Sequence, residues 1–112
     1  MKSGFCRKDF QKEVESIVEQ VRVKYKPERI VLFGSSARGT MHEGSDVDLL
    51  IVKETSKRRV DRVKEVLSLV DYNIPFEPVV YTNKELAKRL ELGDPFVKKA
   101  LKEGKILYGS KT

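Results

Sequence analysis

Acidic side chains stand in this sequence where acids are costly. Asp46 and Asp48 open the apolar run "DVDLLIVK", and Glu77 sits inside "IPFEPVVYT". A buried carboxylate without a partner is unfavourable, so each needs water or a positive charge. Side chains alternate faces along a strand. Asp46 and Asp48 therefore share a face with Leu50 and Val52, and Val47 and Leu49 take the other. Two like charges about 6–7 Å apart on one strand face repel each other, and a divalent cation is the natural compensation. Mg²⁺ takes one or two protein carboxylates and completes its shell with water and substrate phosphates. If the Glu77 strand pairs beside the Asp strand, its carboxylate reaches the same point. Three carboxylates there would hold one or two metal ions for an in-line phosphoryl or nucleotidyl displacement.

Upstream, "RIVLFG" ends in Gly34, followed by Ser35, Ser36 and Arg38. Glycine lets a backbone approach a phosphate closely. Free amides after it, and the hydroxyls of Ser35 and Ser36, suit phosphate oxygens. The bland reading of the two serines is a helix cap. "GSSARGTMHEG" lacks the Gly-Lys-[Ser/Thr] ending of a P-loop, so no lysine is placed for β- and γ-phosphates. Arg38 is the nearest candidate cation, and it would equally serve to hold the loop.

The elements that must position these groups follow from periodicity. Phe10, Val14, Ile17, Val18, Val21 and Tyr25 recur every three or four residues, which predicts an amphipathic helix with Asp9 as its cap and Pro27 as its stop. "RIVLFG" and "DVDLLIVK" read as strands, with a helical turn over 35–40 between them. Thr55 to Val70 reads as a second long helix. "IPFEPVVYT" is a third strand, and Pro78 marks it as an edge or a bulge. Thr82-x-x-Glu85 is a capping box, and Asp94-Pro95 opens a last helix that Gly104 ends. "KILYG" is a further short strand or a packed tail. The order predicts an α+β fold, an α/β sandwich with a small mixed sheet of three to four strands covered by helices.

Bulk properties bound the function. The chain has 112 residues, the size of one domain, and a net charge of +6. That charge favours anionic partners. One cysteine and one histidine exclude an internal disulfide and multi-Cys or multi-His metal sites. No apolar run is long enough to span a membrane and no signal peptide is visible, so a cytoplasmic location is expected. His42 in its polar loop and Cys6 near the terminus receive no role. "KRR" at 57–59 and "KK" at 98–99 read as solvated helix faces, and direct nucleic-acid binding is not expected.

Gly34-Ser35, a ten-residue gap and then Asp46-Val47-Asp48 at the head of an apolar strand resemble the nucleotidyltransferase superfamily of the DNA polymerase β type. The nearest group is the minimal nucleotidyltransferase (MNT) domain, with its "GS.ARG....SD.DLLV" pattern. The resemblance is strong from Ile30 to Tyr81, and "EGKILYG" is similar to the group's C-terminal end. It implies a single domain over residues 1–112 that transfers a nucleoside monophosphate, AMP from ATP, to a hydroxyl. In that reading Asp46 and Asp48 ligate two Mg²⁺ ions and Glu77 is the third acid, which orients or deprotonates the acceptor. Gly34 and Ser35 hold the triphosphate. Members of the group pair with HEPN-domain toxins as antitoxins, some by transferring AMP to a toxin tyrosine. The pattern departs at Glu77, where the group more often has Asp, and at Pro78. The rival expectation is a non-catalytic antitoxin that masks a HEPN ribonuclease by binding. The sequence leaves homo-oligomerisation open.

Overall fold

Short apolar runs pair into one sheet. β1 (Arg29–Phe33), β2 (Val47–Val52), β3 (Phe76–Tyr81) and β4 (Lys105–Tyr108) lie in the order β3-β2-β1-β4. β2 is parallel to β3 and antiparallel to β1, and β1 is antiparallel to β4. The expected mixed sheet is therefore present, and the "KILY" tail is its fourth strand. The structure, a computed structural model, describes residues 7–34 and 47–109. The turn expected over 35–40 lies outside them.

Helices cover both faces. α1 (Arg7–Gln20) runs into a wider turn, Val21–Tyr25, which Lys26 closes by donating its amide to the Val21 carbonyl at 3.2 Å. Lys26 takes a left-handed φ of 56° immediately before Pro27, where the ordinary helical conformation is disfavoured. Asp9 lies within α1, so it is not the cap expected of it, since a capping residue must stand outside the helical backbone. α2 (Arg59–Leu69) starts later than the Thr55 predicted from periodicity. The Thr55 hydroxyl accepts the Lys57 amide at 3.1 Å, a local turn that competes with helix. α3 (Asn83–Glu91) opens on the predicted capping box: Thr82 accepts from the Glu85 amide, and Glu85 accepts from the Thr82 amide. α4 (Pro95–Glu103) is capped by Asp94, which accepts from the Phe96 and Val97 amides.

Alternation along the strands divides the core in two. Ile30, Leu32, Val47, Leu49, Ile51, Phe76 and Val80 point towards α1, the wider turn that follows it and α2, where Ile17, Val21 and Val66 meet them. Val31, Leu50, Val52 and Tyr81 point the other way, towards Leu86 of α3 and Val97 and Ala100 of α4. β2 is central and is buried on both faces from Leu49 to Val52, so it reads as a continuous apolar run. Each such side chain contributes about 1.5–3 kcal/mol.

β3 is an edge strand, as Pro78 predicts, and it carries no bulge against β2. The Val47 amide donates to the Pro75 carbonyl and the Lys53 amide to the Tyr81 carbonyl. Odd-numbered positions of β3 thus turn their backbone groups towards β2, and Pro78 turns its missing donor away from the ladder. On that outer side the buried Arg62 of α2 donates to the Val80 carbonyl at 3.2 Å. Arg62 also donates to the Lys57 carbonyl at 2.7 Å and to both oxygens of Glu85 at 2.7 and 3.1 Å. One guanidinium therefore joins the start of α2, the edge of β3 and the first turn of α3.

Candidate active site

The site is assembled where β1 ends and β2 and β3 begin. β1 leads into Gly34, whose φ of +82° is the left-handed conformation that glycine adopts at least cost. Phe33 is the register partner of Asp48 across the β1–β2 pair, and Asp48 is the partner of Glu77 across the β2–β3 pair. Paired strands run about 4.8 Å apart, so Asp48 and Glu77 stand side by side on one face. It is the face of Leu50, Val52 and Tyr81, on the α3–α4 side. Asp48 is half-buried and Glu77 is exposed. A Cβ built on Gly34 would lie 2.5 Å from Asp48 Oδ2. The aspartate carboxylate therefore rests against the glycine backbone, in space that any larger residue would fill.

Of the predicted site residues, the structure brings Gly34, Asp48 and Glu77 to one end of the sheet. Ser35, Ser36, Arg38 and Asp46 lie outside the described residues. Among the described residues no three His, Cys, Asp or Glu side chains form a group that could hold a metal. Asp48 and Glu77 still offer adjacent hard oxygen donors. Two carboxylates completed by water and phosphate oxygens are what Mg²⁺ accepts, so the donor set fits that ion.

A cleft of about 180 Å³ adjoins this point, lined by Phe33, Gly34, Phe96, Lys99, Ala100 and Glu103. Phe33 and Phe96 pack edge to face, with ring centroids 5.3 Å apart. Lys99 was read from the sequence as part of a solvated helix face; it is exposed, and it also lines the cleft that contains Gly34. Helical periodicity shows that Phe96, Lys99 and Glu103 share a face, but not what that face meets. Arg59 also does more than face solvent: its guanidinium lies 4.6 Å from the centroid of the Tyr81 ring and donates to the Tyr81 hydroxyl at 3.2 Å.

A family model described as the nucleotidyltransferase domain matches residues 14–108, and the chain belongs to that family. A candidate protein adenylyltransferase of Methanocaldococcus jannaschii is 40% identical over 85 residues, which cover 70% of this chain and 56% of that relative. The chain thus spans little more than half the length of that protein. Another relative from the same organism, also a candidate protein adenylyltransferase, is 30% identical over 102 residues, covering 88% of this chain and 97% of the relative. A solved structure of a candidate nucleotidyltransferase from Sulfolobus solfataricus shares the fold with a TM-score of 0.60 at 20% identity, over 99% of this chain and 96% of that one. A toxin–antitoxin structure with AMP-PNP shares it with a TM-score of 0.55 at 22% identity, over 88% of this chain and 74% of that one. These findings agree with the resemblance carried by Gly34-Ser35 and Asp46-Val47-Asp48.

Proposed function

We propose that this chain transfers AMP from ATP to a hydroxyl group, and that the acceptor is a tyrosine of a HEPN-type toxin, which makes the chain an antitoxin. The observation that carries the reading is the register that sets Asp48 beside Glu77, with the Asp48 carboxylate against the Gly34 backbone. The adenylyltransferase relatives support the choice of AMP, and the toxin–antitoxin structures of similar fold support a toxin as the partner.

In this reading the Gly34-Ser35 turn and Ser36 receive the triphosphate, with Arg38 near it. Asp46, Asp48 and Glu77 would hold Mg²⁺, which when bound would supply charge neutralisation for the phosphates. The acceptor oxygen attacks the α-phosphorus, and the bond from that phosphorus to the β-phosphate bridging oxygen breaks. Pyrophosphate leaves with the electron pair, and the hydroxyl proton passes to Glu77. Positioning and charge compensation carry most of such a step.

The test is transfer of label from α-labelled ATP, with Mg²⁺, to the purified toxin partner. Wild type labels a partner tyrosine. Asp48→Ala lowers the rate at least about a hundredfold, the scale of losing one charge-stabilising group. Transfer that survives Asp48→Ala overturns the assigned site. Masking of the toxin by wild type without any transfer replaces the enzyme with a binding antitoxin.

A further inference from the structure

The sequence places no lysine for the outer phosphates, since the glycine turn is not a P-loop. The fold brings one to the cleft beside Gly34 from far along the chain. α4 reaches β1 at both of its ends: Phe96 packs on Phe33, and a Cβ on Gly104 would lie 2.7 Å from Val31 Cγ1 and 2.8 Å from the Leu32 carbonyl oxygen. Ala100 is buried against the sheet and fixes the rotation of the helix. Lys99, beside Ala100, then lines the cleft that contains Gly34.

Resting on the nucleotidyl-transfer reading, we infer that Lys99 binds the polyphosphate tail of the nucleotide, with the Phe33–Phe96 pair as the fixed wall against which α4 holds it.

Three observations support this. Among the described residues lining the cleft, Lys99 is the cation, whereas Asp48, Glu77 and Glu103 are acids in or next to it. A polyphosphate entering beside these acids needs positive charge on its outer side. The cleft, at about 180 Å³, is smaller than the roughly 300 Å³ at which pockets begin to enclose a whole drug-sized ligand. It suits a ligand fragment such as a phosphate tail. Finally, a lysine is a point charge that needs no fixed fork to hold phosphate, so an exposed position one turn after Phe96 is sufficient.

The experiment is calorimetry on the full chain with Mg²⁺–ATP, tripolyphosphate and AMP. Lys99→Gln weakens ATP and tripolyphosphate about ten- to a hundredfold, the range of one hydrogen bond to a charged group. AMP stays within about twofold, because the lost contact is not to its phosphate, and Lys99→Arg recovers most of the affinity for ATP. Lys98→Gln, one residue away and outside the cleft lining, leaves ATP binding unchanged. Lys99 is exposed, so equal melting temperatures for all variants are expected and separate lost contact from lost fold. If wild type binds ATP and Lys99→Gln binds it equally, or if AMP is weakened as much as ATP, the assignment of Lys99 is overturned and the transferase reading stands. If wild type binds neither ATP nor tripolyphosphate, both are overturned.

Discussion

At the residue scale, Gly34 and Asp48 behave as one unit. The aspartate oxygen occupies the position that a side chain at 34 would need, 2.5 Å from the missing Cβ, and the glycine φ is +82°. Gly34→Ala must therefore displace the carboxylate and strain the backbone together. The expected cost is about 1–2 kcal/mol in urea unfolding, with label transfer falling far more than stability does. That Asp48 shares its face with Leu50, and Glu77 its own with Val79 and Tyr81, was legible from alternation along each strand; that the two carboxylates meet on one face rests on the β2–β3 register, which the structure supplies. Lys99 was not legible. A helix pattern marks which residues lie together on a face, and only the tertiary path of α4 decides that this face closes on Gly34.

At the scale of elements, the cluster of Arg62 with Glu85 is the main polar joint among the described residues. The buried guanidinium holds the Glu85 carboxyl down to about 2, against an ordinary 4.5, first by hydrogen bonding and then with help from the Thr82 amide. A carboxyl with a lowered value in the folded state binds protons more weakly there than in the unfolded chain. Its stabilisation is full above about pH 4.5 and is lost as pH falls from there through about 2. Glu85 is 38% exposed, so screening reduces the nominal linkage of roughly 3 kcal/mol to about 2. Chemical denaturation of Glu85→Gln at several pH values should show that deficit at pH 7 and its disappearance near pH 2. The capping box half of this joint was readable from Thr82-x-x-Glu85. Its Arg62 half was not, since an arginine in a helix pattern ordinarily points to water. The late start of α2 was hidden for a related reason: the Thr55 hydroxyl chooses between turn and helix by contacts that periodicity does not weigh.

At the scale of the molecule, one sheet separates two apolar layers that share their central strand. Leu49 and Leu50 are both fully buried on opposite faces of β2. Leu49→Ala and Leu50→Ala should each cost about 2–5 kcal/mol and shift one common transition seen by circular dichroism and by fluorescence. Two transitions would mean that the layers melt independently. The mixed sheet and its helical covering were legible from the order of patterned segments. The placement of β4 against β1 was open until pairing was seen, because a four-residue strand announces itself weakly. The proline in β3 has a wider consequence. Its imide sits on the outward parity of the edge, where no partner asks for a donor. A slip of β3 by one residue would turn that imide inward and leave a β2 carbonyl unanswered. The same slip would carry Glu77 through the sheet to the opposite face, away from Asp48. Pro78 thus acts as a parity check on assembly: the misalignment that would erase the carboxylate pair is also the one the backbone penalises.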